Sequence, residues 1–261
     1  MKRTLLASFI AAFSVSAMAN TYQHQSDAGF GWGDVGNGEI QTWSLRHEFY
    51  LTPVSYGTVP YAEAAFISRN ASVHAGYSYS NLDFPGEPDY SVSGWEVGGV
   101  YQDMAHNFYA AINVNEFNGS DDRIIEASLG YFVSGDWLVK LDARQSRPDG
   151  EGSYTEYGVS TKKLLKLENG NFINIEASYM DQKNQDESEF GVAADYYFGR
   201  NISLGLAYNW LSDDVVSADK DSITVRGSWY LQPNLALHAA VTFDDFLTND
   251  DVYMLGASYR F

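Results

Sequence analysis

Histidine, serine and acidic residues are the side chains of this sequence that could do chemistry, and their spacing decides which chemistry. His24 and Ser26 share one face of an extended strand, as the base and nucleophile of a hydrolase would. Such a pair is common by chance, and the sequence has no Gly-x-Ser-x-Gly motif. The other histidines, without metal-ligand spacing, are His47, His74, His106 and His238. With no cysteine either, we expect no catalytic residue, no cofactor and no metal site.

Charged residues of both signs recur on the polar faces of alternating segments. These pore-lining candidates are Glu96, Glu126, Lys140, Asp142, Arg144, Glu176, Asp195, Arg226, His238 and Arg260. On the inner wall of a closed sheet they would govern ion selectivity, as rings of charged side chains do. One hypothesis sets three bases against three acids across the lumen: Lys140, Arg144 and Arg226 against Glu126, Glu176 and Asp195. The alternative is that each charge solvates a wet interior or pairs with a neighbour.

The final nine residues, 253–261, have the clearest strand pattern of the chain. Tyr253, Leu255, Ala257, Tyr259 and Phe261 share one face, because successive side chains of a strand point to opposite faces. Chain ends are usually loose, whereas this one is an alternating strand that stops on an aromatic residue. It resembles the terminal strand of bacterial outer-membrane β-barrels. That resemblance implies that Tyr259 and Phe261 are an assembly signal for the barrel-insertion machinery.

The opposite terminus predicts export from the cytoplasm. Lys2 and Arg3 precede an apolar run over 5–15 and the small-x-small sequence 17–19, a pattern typical of a cleaved signal peptide. The run is shorter than the roughly 20 apolar residues of a membrane-spanning helix. We therefore expect a signal peptide over 1–19 and a single domain over 20–261. The net charge of −18 at pH 7 argues against binding to nucleic acid, whose phosphates require Lys and Arg.

Alternation with a period of two, which indicates a strand with two different faces, recurs along the chain. Each segment has about ten residues, the length that a tilted strand needs to cross a bilayer. The fourteen predicted strands are 22–33, 40–51, 72–82, 91–102, 108–117, 124–133, 137–147, 153–166, 172–182, 189–198, 202–210, 222–231, 235–243 and 253–261. In the first of them, Tyr22, Ala28, Phe30 and Trp32 are expected on the apolar face.

The connections between these strands alternate in kind. One set is short and rich in Gly, Asn, Asp and Pro, at 104–107, 134–136, 168–171, 199–201 and 232–234, and the other is mostly longer and acidic. Short periplasmic turns and longer extracellular loops are typical of outer-membrane barrels. Aromatic residues such as Tyr101, Phe198 and Trp229 come just before the short turns. Rings at one level indicate an aromatic girdle at the lipid headgroups.

Residues 52–69 do not alternate clearly. Pro53 and Pro60 precede Tyr61-Ala-Glu-Ala-Ala-Phe-Ile67, which is compatible with a short helix, a strand or an inward-folded segment. The strand count should be even, so fourteen and twelve strands are both open. This Pro-Tyr-Ala-Glu-Ala-Ala-Phe stretch, with the spacing of the hairpins, is similar to the general porin family of Gram-negative bacteria. The resemblance covers most of the chain and implies an aqueous diffusion channel.

The sequence thus predicts an all-β protein, a closed antiparallel transmembrane β-barrel of about 14 strands in the Gram-negative outer membrane. Only helices and closed barrels satisfy their backbone groups in lipid, and no later apolar run is long enough for a membrane helix. We expect a porin that passes ions and small hydrophilic solutes. Its partners would be outer-membrane lipids and lipopolysaccharide, and it would be a monomer or a trimer. The alternative is a plugged, non-conducting barrel whose acidic loops bind an external partner.

Overall fold

The computed structural model describes most of the predicted barrel domain. The described residues are 20–35, 38–86, 88–118, 122–148, 152–182, 187–213, 220–244 and 250–261. The expected signal peptide over 1–19 lies outside these residues, as do the tips of most of the acidic loops.

Fourteen antiparallel strands form one closed barrel in this part of the chain. They are β1 (Thr21–Val35), β2 (Gly38–Ser55), β3 (Ser72–Asp83), β4 (Tyr90–Asp103), β5 (Phe108–Asn118), β6 (Arg123–Ser134), β7 (Trp137–Arg147), β8 (Tyr154–Lys166), β9 (Phe172–Gln182), β10 (Glu187–Phe198), β11 (Ile202–Asp213), β12 (Lys220–Gln232), β13 (Leu235–Asp244) and β14 (Asp250–Arg260). Each strand pairs with its neighbours in sequence, and β1 pairs with β14. The predicted closed antiparallel barrel of fourteen strands is confirmed.

The apolar face of each strand points outward. Leu129, Leu141 and Val159 are cross-strand partners on β6, β7 and β8, and their side chains are 59%, 66% and 50% exposed. So large an exposed apolar surface is rare on a soluble protein, and a bilayer is the environment that covers it. No helix within the described residues is long and apolar enough to cross a membrane.

The seam between β1 and β14 closes the sheet. Ser26, Ala28 and Phe30 lie opposite Tyr259, Ala257 and Leu255. The chain ends there: the Phe261 N–H donates to the carbonyl of His24 over 2.9 Å, and the N–H groups of Gln23 and His24 donate to Phe261 O. The Phe261 ring stacks on the imidazole of His24 with ring centroids 5.0 Å apart.

One residue of the first strand faces the other way from its prediction. The register of β1 against β2 shifts between Tyr22 and His24, which is the effect of a β-bulge. The shift turns Tyr22 into the barrel, where it is 3% exposed and packs against Tyr50 and Tyr56. The prediction that Tyr22 shares the outer face with Phe30 and Trp32 was therefore wrong.

The segment between β2 and β3 folds into the end of the barrel that carries the short turns. It contains a single 3₁₀ turn (Tyr61–Glu63) and a short helix, α1 (Ala64–Ser68). Arg69, with φ of 51°, ends the helix in the left-handed conformation. Of the alternatives left open by the sequence for 52–69, the short helix and the inward fold are right for residues 56–69, and residues 52–55 continue β2. We call residues 56–71 the plug segment.

We predict that deletion of Phe261 impairs assembly, because it removes both the terminal backbone pairing and the ring stacked on His24. The amount of folded, heat-modifiable protein in the outer membrane should fall several-fold. Phe198→Ala is the matched control, since Phe198 is exposed on the outer face but takes no part in the seam. Equal membrane levels of the two variants would contradict the prediction.

Candidate functional site

The aromatic residues before the short turns divide between two environments. Phe198 is 52% exposed on the outer surface, whereas its neighbour Tyr197 is 5% exposed inside the barrel. The same split separates Tyr131 from Phe132 and Trp229 from Tyr230. One member of each doublet therefore belongs to the predicted outer girdle, and the other belongs to an inner ring around the plug segment.

Hydrogen bonds from a short turn hold the start of the plug segment. Arg200, between β10 and β11, donates from Nε to the carbonyl of Val59 over 3.0 Å and from Nη2 to that of Tyr56 over 2.9 Å. Its guanidinium also lies 4.4 Å from the centroid of the Tyr61 ring, a cation–π contact. Burial raises the pKa of the Tyr56 phenol to about 12.

Glu63 anchors the middle of the plug segment to the wall. Its side chain is 4% exposed, and Tyr197 Oη donates to Glu63 Oε1 over 2.6 Å. Lys162 Nζ lies 3.0 Å from Glu63 Oε2 and 3.1 Å from Glu176 Oε1. A buried carboxylate needs such partners, because an unpaired charge is costly away from water.

Arg260 joins the plug segment to the seam. Its Nε donates to Gln25 Oε1 on β1, Nη1 to the carbonyl of Tyr61, and Nη2 to the Tyr230 hydroxyl on β12. These bonds are 2.8, 2.8 and 2.9 Å long. The guanidinium lies between the rings of Tyr22 and Tyr230, 4.7 and 4.9 Å from their centroids.

The far end of the plug segment is fixed to two other short turns. Arg69 donates from Nη1 to Asn107 Oδ1 over 2.6 Å and from Nη2 to the carbonyl of Ser134 over 3.1 Å. Its guanidinium lies 4.0 Å from the centroid of the Phe132 ring. The plug segment is thus attached on several sides of the mouth and packs against the wall as a folded element.

Two cavities of about 810 and 670 Å³ occupy the lumen beside the plug segment. Phe66 of α1 borders the first, and Ala62 borders the second. The other lining side chains are mostly polar or charged, which suits a water-filled interior.

Two ion pairs on the wall reach across an intervening strand. Arg226 on β12 donates to Asp195 on β10 over 2.8 and 2.7 Å, passing over Gly205 on β11. A Cβ atom at residue 205 would overlap the Asp195 carboxylate. Arg46 and Glu96, 3.6 Å apart, likewise reach across Gly76. In both pairs, glycine on the middle strand leaves the space in which the two charged side chains meet.

Two further wall cations also have acidic partners. Arg144 donates to Glu156 from Nε over 2.5 Å and from Nη2 over 2.9 Å, and to Glu189 from Nη2 over 2.8 Å. Lys140 Nζ lies 3.5 Å from Asp142 Oδ1. Their acidic partners neutralise both cations.

Three lumen carboxylates contact neutral groups in the described part of the chain. Ser258 Oγ donates to Asp27 over 2.5 Å, and Ser72 Oγ donates to Glu48 over 2.7 Å. Glu126 accepts a long bond of 3.4 Å from Asn113 Nδ2. No three acidic or histidine side chains among the described residues are arranged to hold a metal ion.

The histidine and serine pair of the first strand lies on the outer surface. Ser26 Oγ is 2.9 Å from His47 Nδ1, and His47 Nε2 is 3.2 Å from His24 Nδ1. The three groups are exposed near the short-turn end, away from the charged lumen.

Comparison with known sequence families identifies the class of barrel to which this chain belongs. The family described as "Putative general bacterial porin" matches residues 1–154 and 146–261, and so extends over the whole chain. The chain belongs to this porin family. Membership and the barrel fold assign the porin to the Gram-negative outer membrane, as the sequence predicted, with the short turns on the periplasmic side.

Solved structures show the same fold. The outer membrane protein Omp33 of Acinetobacter baumannii is 17% identical to the porin, with 94% of this chain and 100% of that chain covered and a TM-score of 0.73. The NanC porin is 10% identical, with 90% and 100% of the chains covered and a TM-score of 0.50. No curated protein sequence matches the porin.

The ten candidate residues all point into the barrel of the porin. Glu96, Glu126, Lys140, Asp142, Arg144, Glu176, Arg226 and Arg260 line the two large cavities, and Asp195 and His238 line a smaller one of about 430 Å³. The hypothesis of opposed charges across the lumen was wrong, because Arg226 touches Asp195 along the wall.

Two lumen charges of the porin, Lys162 and Glu63, are not indicated by the alternation of the sequence. Lys162 lies in a strand end, Lys-Lys-Leu-Leu, where alternation breaks down, and Glu63 lies in the plug segment. The two side chains pair with each other and fix the plug segment to the wall. The sequence does contain a signal for the Arg226–Asp195 pair. Gly205 lies on the polar face of β11, between an acidic residue on one neighbouring strand and a basic residue on the other.

We predict that Gly205→Ala destabilises the porin, because the new methyl group separates Asp195 from Arg226. The free energy of unfolding in detergent should fall by about 1–3 kcal/mol, the usual effect of overpacking. Gly31→Ala is the control, since its nearest neighbour would be at an ordinary distance of 3.5 Å. It should change the stability by less than about 0.5 kcal/mol. Equal effects of the two substitutions would refute the requirement for glycine at 205.

Proposed function

We propose that this outer-membrane porin lets small hydrophilic cations diffuse through its lumen in preference to anions. The observation that carries the proposal is the pairing of the wall charges. In the described part of the chain, five lumen cations form ion pairs with carboxylates: Arg46, Lys140, Arg144, Lys162 and Arg226. Arg260 is enclosed by Tyr22 and Tyr230. Asp27, Glu48 and Glu126 therefore leave an excess of negative charge in the lumen.

Selection by this excess is passive. A lumen lined by carboxylates raises the local concentration of cations and lowers that of anions. No step of the proposal needs a catalytic residue or a cofactor. The Ser26–His47–His24 chain lies on the outer surface, where diffusing solutes do not pass, and is not part of this function.

The plug segment sets the periplasmic constriction in this proposal. Residues 56–71 are fixed at Tyr56, Tyr61, Glu63 and Arg69 by contacts with the barrel. The same observation favours the second candidate, a barrel that the plug closes completely and that serves as a structural or surface-binding protein. Conductance distinguishes a narrow pore from a closed one.

We predict that Glu48→Gln with Glu126→Gln reduces the cation preference. In planar bilayers under a salt gradient, the cation-to-anion permeability ratio should fall by about twofold or more toward unity. Glu116→Gln is the matched control, because Glu116 on β5 faces outward, in register with Arg123, and should leave the ratio unchanged. An anion preference in the wild-type porin would contradict the proposal.

We predict that replacing residues 57–69 by a short Gly-Ser linker increases the single-channel conductance, because it removes the obstruction of the periplasmic mouth. The control exchanges the periplasmic turn 168–171 for the same linker and should conduct like the wild type. A silent wild type with a conducting deletion would show that the plug segment closes the pore. Silence of both, with folded barrels, would support the non-conducting alternative.

A further inference from the structure

Two arginines face each other on the outer surface at the extracellular rim. Arg123 begins β6 and Arg147 ends β7, and they are direct cross-strand partners. Their side chains are exposed and stand on the same face as Leu129 and Leu141, the face that contacts the membrane. Like charges placed directly opposite each other destabilise a sheet. An anion bound between the two arginines would remove their repulsion.

The level of the pair in the membrane limits what that anion can be. Arg123 is eight residues above Tyr131 of the periplasmic girdle along β6, which corresponds to about 27 Å of strand. At a tilt of about 40°, the vertical distance is about 21 Å, close to the ~25 Å height of the apolar band of such barrels. The guanidinium groups therefore lie at the boundary between the acyl chains and the headgroups of the outer leaflet.

The protein itself supplies no acidic partner among the described residues. Glu116 is the cross-strand neighbour of Arg123 on β5, but neither arginine forms an ion pair with it or with another described carboxylate. The pair instead borders an open pocket of about 330 Å³ whose other walls are Gln145, Ser153 and Ile125. Two guanidiniums, an amide and a hydroxyl thus converge on one empty space.

The charge of the pair contrasts with the rest of the porin. The whole chain carries a net charge of −18, and other outward-facing residues near this rim, such as Asp181 and Asp221, are acidic. An anion would be repelled from most of the rim and attracted to this one pocket. The contrast argues for a local site in preference to general attraction by a basic surface.

We propose that Arg123 and Arg147 bind a phosphate group of a phosphorylated glycolipid in the outer leaflet, the lipid A part of lipopolysaccharide. Guanidinium groups match phosphate oxygens with two parallel hydrogen bonds. One phosphate between the two arginines relieves their repulsion, Gln145 and Ser153 donate to its remaining oxygens, and the acyl chains lie against the apolar strands below. The ligand is a lipid because the pocket opens on the membrane face.

Native mass spectrometry of the detergent-purified porin, titrated with diphosphorylated and with dephosphorylated lipid A, tests this site. The wild type should bind the phosphorylated form at least about tenfold more tightly, the effect of one or two charge-assisted hydrogen bonds. Arg123→Gln with Arg147→Gln should abolish that difference. Lys163→Gln with Lys166→Gln, the same change of charge at the periplasmic rim, should preserve it.

Each alternative result overturns the proposal. Retention of the difference in the arginine variant would place the phosphate elsewhere on the porin. Equal binding of the two lipids by the wild type would exclude phosphate recognition without any variant, so that a folding defect in the arginine variant cannot hide the answer. Full competition by inorganic phosphate at millimolar concentration would show that the site recognises phosphate alone and that the acyl chains contribute nothing to binding.

Discussion

Backbone pairing between the first and the last strand is the constraint on which the rest of the structure depends. In lipid, each unpaired N–H or C=O group costs several kcal/mol, so that an open sheet edge is excluded. The register of that pairing, Ser26 opposite Tyr259, also decides which residues face inward all around the barrel. A slip of one strand by one residue would turn its inward side chains toward the acyl chains, Asp27 if β1 shifts or Arg260 if β14 shifts. Closure and the charge of the lumen are therefore set by one interaction.

The plug segment depends on the seam through a single side chain. Arg260 contacts β1 at Gln25, the plug segment at Tyr61 and β12 at Tyr230. It is 4% exposed, so that removing any of its partners would leave a buried cation poorly satisfied. The plug segment and the seam thus share the buried charge of Arg260. A substitution that disturbs the contacts of Arg260 at one of them also disturbs its contacts at the other.

The sequence was sufficient to predict the barrel wall but not the fold of the plug segment or the ion pairs of the lumen. All fourteen strands could be predicted because one face of every strand contacts lipid and the other contacts water. Apolar and polar residues therefore alternate with a period of two. Tyr22 escaped because a bulge reverses that period locally, and a helix as short as α1 has too few residues to show a period of its own. The Arg226–Asp195 pair depends on the relative register of strands two apart, which periodicity within one strand does not contain. The aromatic doublets do indicate the inner ring, because adjacent residues of a strand point to opposite faces and one aromatic side chain of each doublet must point into the barrel.

The contacts of the plug segment also bear on the order of folding. Glu63 meets Tyr197 from 134 residues away, Tyr56 meets Arg200 from 144, and Tyr61 meets Arg260 from 199. The hairpins of the wall, by contrast, join neighbours in sequence, and such local contacts form faster than distant ones. The plug segment can complete its contacts only once β14 is in place. The full set of plug contacts therefore depends on strands from both halves of the chain and on the closed seam between β1 and β14.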